Sequence, residues 1–289
     1  MIRPEISASR VAGLIGLHKF QNPNEVFYEL LCKNKDAGLK IAEVERMHNR
    51  RAFHRVLQDV LKEAPVKDIV YQGLRTAQTT SNVAGVLADV EEQAKLVLDL
   101  RSATFTPQVR DQLAREVRGA VSKQRGLVNE NRILDTYETQ HDLKVTERNT
   151  KTLKKDFGAF TLVGRCDGYV ASENRIVDSK DRTRHWPTVP LYDEIQLRCY
   201  MNMYGASESE LIERFPGGEV RHTRFQNDPE KWASIQAAVE RKVEQMNMLL
   251  NDPEELTRVV FENTVCMNQN AGATPVQRPT VRTAAVPDL

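Results

Sequence analysis

Little in this chain announces a purpose at first sight. Aromatic residues are only 6% of the 289, and no apolar run approaches the roughly 20 residues that a membrane-spanning helix needs. The opening Met1-Ile-Arg-Pro-Glu5 is polar, unlike a secretory leader. An intracellular protein is therefore expected, in a bacterial cytoplasm or in the cytoplasm or nucleus of a host, with no membrane partner and no secretion. Cys32, Cys166, Cys199 and Cys266 are scattered and form no Cys-x-x-Cys pair, which argues against a zinc ribbon or a disulfide framework. They read as reduced packing residues. The formal net charge of +1 carries no signal about partners. Nucleic-acid binding would have to come from local basic patches that displace phosphate counterions.

What is present is length enough for a substantial core in one or two domains, and a clear succession of elements. Residues 1–35 predict two short helices: Ser7 or Ser9 caps the first, which carries Val11, Leu14, Ile15 and Leu17, and Asn22-Pro-Asn24 opens the second, over 25–33. Residues 36–123 are charged, poor in aromatics and helix-periodic, with Leu87, Val90, Ala94, Val97, Leu98 and Arg101 along one stripe and its margin. This predicts a helical insertion. Within it, His48 and His54 sit in a basic run, 46–55, expected to be a solvated or nucleic-acid-facing helix. Residues 126–140 predict a helix burying Leu127, Ile133, Leu134 and Tyr137, with Glu130 on the packed side or its margin. Further helices are expected over 192–204 and 228–251, with a strand over 219–225 between them. The tail, 266–289, lacks periodicity and is expected to be disordered.

One stretch carries chemistry. Residues 161–171 are rich in Val, Thr, Tyr and Cys, 172–175 form a turn cluster, and Ile176-Val177 restarts the apolar run, so the segment predicts a β-hairpin. Asp167 and Asp178 then face each other. Alternation puts Asp178 and Lys180 on one face and turns the Ser179 side chain away, while its carbonyl stays beside the acids. Hard divalent ions take such carboxylate and carbonyl oxygens, completed by water and substrate phosphate. A lysine there can hold or deprotonate an attacking water. Lys151, Lys154 and Lys155 before the hairpin, and Arg182, Arg184 and His185 after it, are candidate basic patches.

These residues resemble the PD-(D/E)xK nuclease superfamily, with Asp167 as the first acid and Asp178-Ser-Lys180 as the (D/E)xK element. Gly126-Leu-Val-Asn-Glu130 looks like the Gly-x-x-x-Glu element of lambda-exonuclease-like and RecB-like nucleases, and Gln196-Leu-Arg-Cys-Tyr200 like their Gln-x-x-x-Tyr element. Ser7-Ala-Ser9-Arg10 resembles the helix start of lambda-type and YqaJ-type viral or phage recombinases. The elements stand in the family's order, with 143–148 as the intervening first strand. Cys166 replaces the family's Pro, and Asp178 the Glu usual in lambda-type enzymes. Neither change removes a ligand.

The resemblance implies an α/β (α+β) fold: a restriction-endonuclease-like core at 124–265, a central mixed β-sheet flanked by helices, with the helical insertion and the amino-terminal helices packed on it. It implies a metal-dependent deoxyribonuclease in recombination, repair or viral DNA processing. Asp167, Asp178, the Ser179 carbonyl and Glu130 would bind Mg²⁺ or Mn²⁺. Lys180, Asp178, Asp167, Glu130 and Gln196 would be catalytic, and Ser9, Arg10, Arg182, Arg184 and Tyr200 would contact nucleic acid. Duplex DNA ends, a single-strand annealing protein and a homo-oligomer, a trimer by analogy, are the implied partners. Some nucleases with the Gln-x-x-x-Tyr element hold an iron-sulfur cluster on four cysteines, three of them near the carboxyl end. Only Cys266 lies there, so no cluster is expected. An endonuclease, resolvase or RNase using the same site, and a binding or scaffold protein that has lost cleavage, are the alternatives.

Overall fold

The computed structural model describes residues 1–100 and 104–266. Strand β1 (Glu5–Ser7) runs directly into α1 (Ala8–Leu14). Asn22 caps α2 (Pro23–Lys33) by accepting from the Asn24 N–H, and Asn34 caps α3 (Lys35–Met47) in the same way through Ala37. After β2 (Arg50–Ala52) come α4 (Phe53–Val60), α5 (Ala64–Thr79), α6 (Val83–Asp99) and the 35-residue α7 (Pro107–His141). The strands β3 (Leu153–Asp156), β4 (Thr161–Gly164), β5 (Gly168–Val170) and β6 (Arg175–Asp181) follow. Then come α8 (Leu191–Tyr204), β7 (Glu208–Arg214), β8 (Val220–Gln226), α9 (Pro229–Leu249), α10 (Pro253–Asn263) and β9 (Thr264–Cys266).

The central sheet, ordered β5-β6-β7-β8, is mixed: β6 and β7 are parallel and the outer pairs antiparallel. A parallel pair needs a long crossover, and α8 supplies it. Both faces of β6 and β7 are covered. Ile176 and Leu211 join the main core with Ile195, Leu197 and Met201 of α8, whereas Val177 and Ile212 pack on Ile133, Leu134 and Tyr137 of α7. A second sheet, β1-β4-β3, and a β2-β9 ribbon lie outside this one. A separate core joins α4 to α6 with the first half of α7, through Val66, Val90, Leu98, Leu113 and Val117. In contrast, Ala37, Ile41 and Val44 of α3 belong to the main core. The whole is a mixed α/β fold with an extra helical region, matching a restriction-endonuclease-like core. Among the described residues, no helix is long and apolar enough to cross a membrane.

Several expected elements take a different form. The first arm of the hairpin is split: β4 pairs with β1 and β3 in one sheet, and only β5 pairs with β6. Its turn is a short 3₁₀ segment, Ala171–Glu173, closed by Asn174 at φ 48°. At the break stands Gly164, where an added Cβ would lie 2.7 Å from the Tyr200 ring and 3.3 Å from Ala8. The chain bends past α8 at that point. Residues 143–148 are not a strand; only Thr146 bridges to Tyr169, and positive φ at Glu147 and Asn149 prevents a longer ladder. The basic run 46–55 is not one helix, because β2 interrupts it to pair with β9.

The helix carrying Glu130 starts at Pro107, not Gly126, since packing of its first half on α5 and α6 outweighs the roughly 1 kcal/mol cost of an interior glycine. Leu127 is exposed. It lies two residues from Arg125 and Asn129, which point inward, and such neighbours do not share a face. In the apolar stripe of α6, Val90, Ala94 and Leu98 are buried. Arg101 and residues 267–289 of the expected tail lie outside the described residues, and Cys266 ends β9.

Candidate active site

The site forms where β6 approaches its carboxyl end. Asp178 and Lys180, two residues apart, share a face as strand alternation requires, and the Lys180 ammonium lies against Asp178 Oδ2. Continuing the β5-β6 register by one residue sets Asp167 opposite Asp178. Asp167 Oδ2 accepts from the Ser179 N–H at 2.8 Å and from its hydroxyl at 3.2 Å. The Ser179 side chain was expected to point elsewhere; Asp167, just before β5 begins, is free to curl around and meet it. Glu130 arrives from α7 and accepts from the Asn149 side chain.

The acids repel each other and are poorly solvated. Burial, and then the Asp178 charge, push the Glu130 carboxyl up to about 7. Burial and Asp167 raise Asp178 to about 7 as well, and burial with Glu130 raises Asp167. Lys180 behaves oppositely. Burial would lower its ammonium, but Asp178 and Asp167 outweigh that and hold it protonated above the usual lysine range. Asp178 is 1% exposed, and its Oδ1 has no hydrogen-bond partner. A buried carboxylate oxygen left so costs on the order of 1–3 kcal/mol.

Among the described residues, no three His, Cys, Asp or Glu side chains stand close enough together to hold an ion by themselves. Magnesium does not require such a cage: it binds through one or two carboxylates and keeps water and substrate phosphate in the remaining positions. The unpartnered Asp178 oxygen, the facing Asp167 and the mutual repulsion of the three acids fit a hard divalent cation.

Around this centre, Gln196 Nε2 donates to the Tyr200 hydroxyl at 3.0 Å, one turn along α8. Tyr200 is buried, and burial followed by the Asp178 charge raises its phenol. The other expected residues are more dispersed. Arg182 is committed to Asp193 and Glu213, each at 2.7 Å, and Arg10 to Glu29 at 2.8 Å. Ser9 is exposed with its hydroxyl 3.5 Å from that of Ser7. Arg184 is exposed and lies over the Trp186 ring. Of the earlier patch, Lys154 pairs with Glu5, and Lys155 donates to the Asn202 carbonyl.

Three supporting groups were not anticipated. Asp181 accepts from Asn129 at 2.8 Å and from Arg214 at 3.0 Å, and pairs with Arg125 at 2.6 Å, pinning α7 to β6 and β7 one residue from Glu130. Its signal was available, since it directly follows Lys180. Asn149 had none: it sits at φ 47° in a loop, and only the fold brings it to Glu130. Arg165, between β4 and β5, adds a cation that opposes the rise at Glu130.

No curated protein matches the chain. Among solved structures, an alkaline exonuclease from Laribacter hongkongensis is similar at 14% identity and a TM-score of 0.45, over 89% of this chain and 94% of its own. A phage-related exonuclease from Haemophilus somnus 129PT is similar at 14% identity and a TM-score of 0.41, over 86% and 97%. The model of the PD-(D/E)XK nuclease superfamily matches residues 36–275. That stretch holds the acids, the lysine and the Gln-x-x-x-Tyr pair, and it is most of the sequence; the chain belongs to the PD-(D/E)xK nuclease superfamily.

Proposed function

We propose that the chain is a metal-dependent deoxyribonuclease, an exonuclease of the lambda or YqaJ type that hydrolyses phosphodiester bonds from duplex DNA ends. The Asp178 carboxylate carries this reading: one oxygen rests on Lys180, and the other is buried without a partner, in a group that feels the charge of Asp167 and acts on Glu130. Asp167, Asp178 and the Ser179 carbonyl would hold Mg²⁺ or Mn²⁺, with Glu130 assisting at a second ion. Bound there, divalent ions supply charge stabilisation to the attacking and leaving oxygens of an in-line displacement.

The chain's own groups do the rest. Lys180, kept protonated by its neighbours, is a donor, and orients the attacking water through an N–H rather than removing its proton at the outset. Gln196, tied to Tyr200, keeps an amide oxygen for Lys180 or the substrate. Ser9 and Arg184, both exposed, are open to phosphate, whereas Arg182 fixes the segment after β6 through Asp193 and Glu213. By the same resemblance, the chain would assemble as a homo-oligomer and pass its single-stranded product to an annealing protein.

The test is incubation of end-labelled linear duplex, nicked circle and single strand with Mg²⁺ or Mn²⁺. Mononucleotide release from linear ends alone, abolished by EDTA, is the expected result. Cleavage of the circle would replace the exonuclease with an endonuclease, and binding without metal-dependent cleavage would sink the enzyme.

A further inference from the structure

Beyond the acids, two loops meet in a cluster that the hydrolysis itself does not use. After α1, the chain presents His18, Lys19 and Phe20; between β6 and α8 it presents Arg184 and Trp186, and Tyr192 lies in the first turn of α8. His18 stacks on Tyr192 at 4.2 Å between ring centroids. Phe20 meets Trp186 edge-on at 6.0 Å and Tyr192 at 6.2 Å. The Arg184 guanidinium covers the Trp186 ring at 4.3 Å, and the Lys19 ammonium lies 5.7 Å from it.

This is not core packing. Phe20 is 59% exposed, and Lys19 and Arg184 are both exposed. An aromatic surface left open to water and edged by cations suits a ligand with flat π-faces and negative charge. Unpaired nucleotides have both, and proteins that hold single strands pair aromatic stacking platforms with basic grooves. The cluster is also tethered near the acids. Trp186 follows Lys180 by six residues, a span of at most about 20 Å, and Arg182 locks the intervening segment to Asp193 and Glu213.

We propose that Phe20 and Trp186, flanked by Lys19 and Arg184, form a stacking platform for unpaired bases of the DNA strand on which the nuclease acts. The proposal rests on the nuclease reading for the identity of its ligand. It gives the chain a preference for frayed or single-stranded ends over a closed duplex, because interior paired bases have both faces already stacked and a closed end offers only one face of its last pair.

The test is binding of the full chain to a short dye-labelled oligothymidylate in EDTA, followed by fluorescence anisotropy, with tryptophan quenching read alongside in the chains that keep Trp186. Trp186 is the reporter, since the second tryptophan, Trp232, is buried. The wild type should be quenched, and Trp186→Ala or Phe20→Ala should bind about tenfold to a hundredfold more weakly, the size of one or two base–aromatic stacks. Trp186→Phe, which keeps a ring, should retain most of the affinity. An oligonucleotide of the same length with abasic sites keeps the phosphates and loses the bases: it should bind the wild type as weakly as the variants do, and should show no further loss in them. Lys19→Ala and Arg184→Ala should instead flatten the salt dependence. Equal binding of abasic and intact strands by the wild type, or full affinity in both alanine variants, would overturn the platform, as would no binding at all. Cleavage of linear duplex with Mg²⁺, measured in parallel, separates the two readings: a chain that cleaves but ignores bases loses only the platform, and one that stacks bases but never cleaves loses only the nuclease.

Discussion

Strand β6 carries buried charge at both of its ends, and the two ends are built on opposite principles. At its start, Arg175 is wholly buried and meets Glu208 at 3.1 Å and Glu210 at 3.3 Å, with Glu173 alongside at 2.5 Å. It also donates to the Tyr137 hydroxyl, which in turn donates to Glu210 at 2.8 Å. Near its other end, Asp178 faces Asp167 and acts on Glu130, with Lys180 as the cation in contact. One helix serves both. Glu130 and Tyr137 are seven residues apart on α7, and Asp178 and Arg175 three apart on β6; each interval spans about 10 Å. The matched end is cross-linking. Each end leaves one buried polar atom without a hydrogen bond, Arg175 Nε and Asp178 Oδ1; only the second end also raises its acids to about 7, and acids perturbed in this way cluster at functional sites.

Breaking each end should therefore give different failures. Asp178→Ala and Lys180→Ala should lower cleavage by about 10²–10³-fold, the scale seen when a transition-state-stabilising group is removed, and Asp178→Ala should do so with little change in the thermal melt, because it takes away one of three mutually repelling acids. An active Asp178→Ala enzyme would remove this carboxylate from the chemistry. Arg175→Met should do the reverse, costing about 3–5 kcal/mol because Glu208 and Glu210 lose their buried cation. Urea unfolding reads this directly, and an unchanged midpoint would show the first end to be no cross-link.

Gly164→Ala sharpens the contrast from the side. Its methyl group would press on the Tyr200 ring, at about 1–3 kcal/mol for an overpacked contact, and should disturb activity as well as stability because Tyr200 is the partner of Gln196. A variant that loses stability with kinetics untouched would detach that pair from the site.

The smallest effect should come from a half-buried group in neither network. Burial, then Arg55, Lys33 and Arg10, push the His54 imidazole from 6.5 down to about 4. The fold thus binds this proton less well than the unfolded chain does. Its contribution is intact above pH 6.5 and is lost as the pH falls toward about 4. His54→Gln should flatten the fall in melting temperature across that window. An unaltered slope would place the acid sensitivity elsewhere.

Much of the site was legible because it depends on short spacings. Asp178 and Lys180 share a face by alternation, and Gln196 and Tyr200 by the four-residue helical step, and both pairs meet in the structure. Glu130 lay on the packed side of its helix with Ile133, although Leu127, expected on the same side, is exposed. The rest was hidden wherever a contact joined distant segments. Nothing in the sequence around Gly164 reveals that β4 leaves β5 for another sheet, because its partner β1 comes from the far amino end of the chain. Likewise, Arg182 reads as a free cation beside Lys180, and its partner Glu213 lies on β7. That strand, Glu208–Arg214, alternates no apolar face, because it is buried on both sides and carries its charges inward.

By itself the sequence placed the candidate residues in order along the chain and put Asp178 with Lys180, and Gln196 with Tyr200, on common faces, since helix and strand periods are properties of the backbone. The tertiary structure decided which charges are matched and which are not. Matching requires partners from separate elements: Glu208 and Glu210 of β7 with Tyr137 of α7 for Arg175, but further acids for Asp178. The strength of each interaction depends on burial and distance in the folded chain.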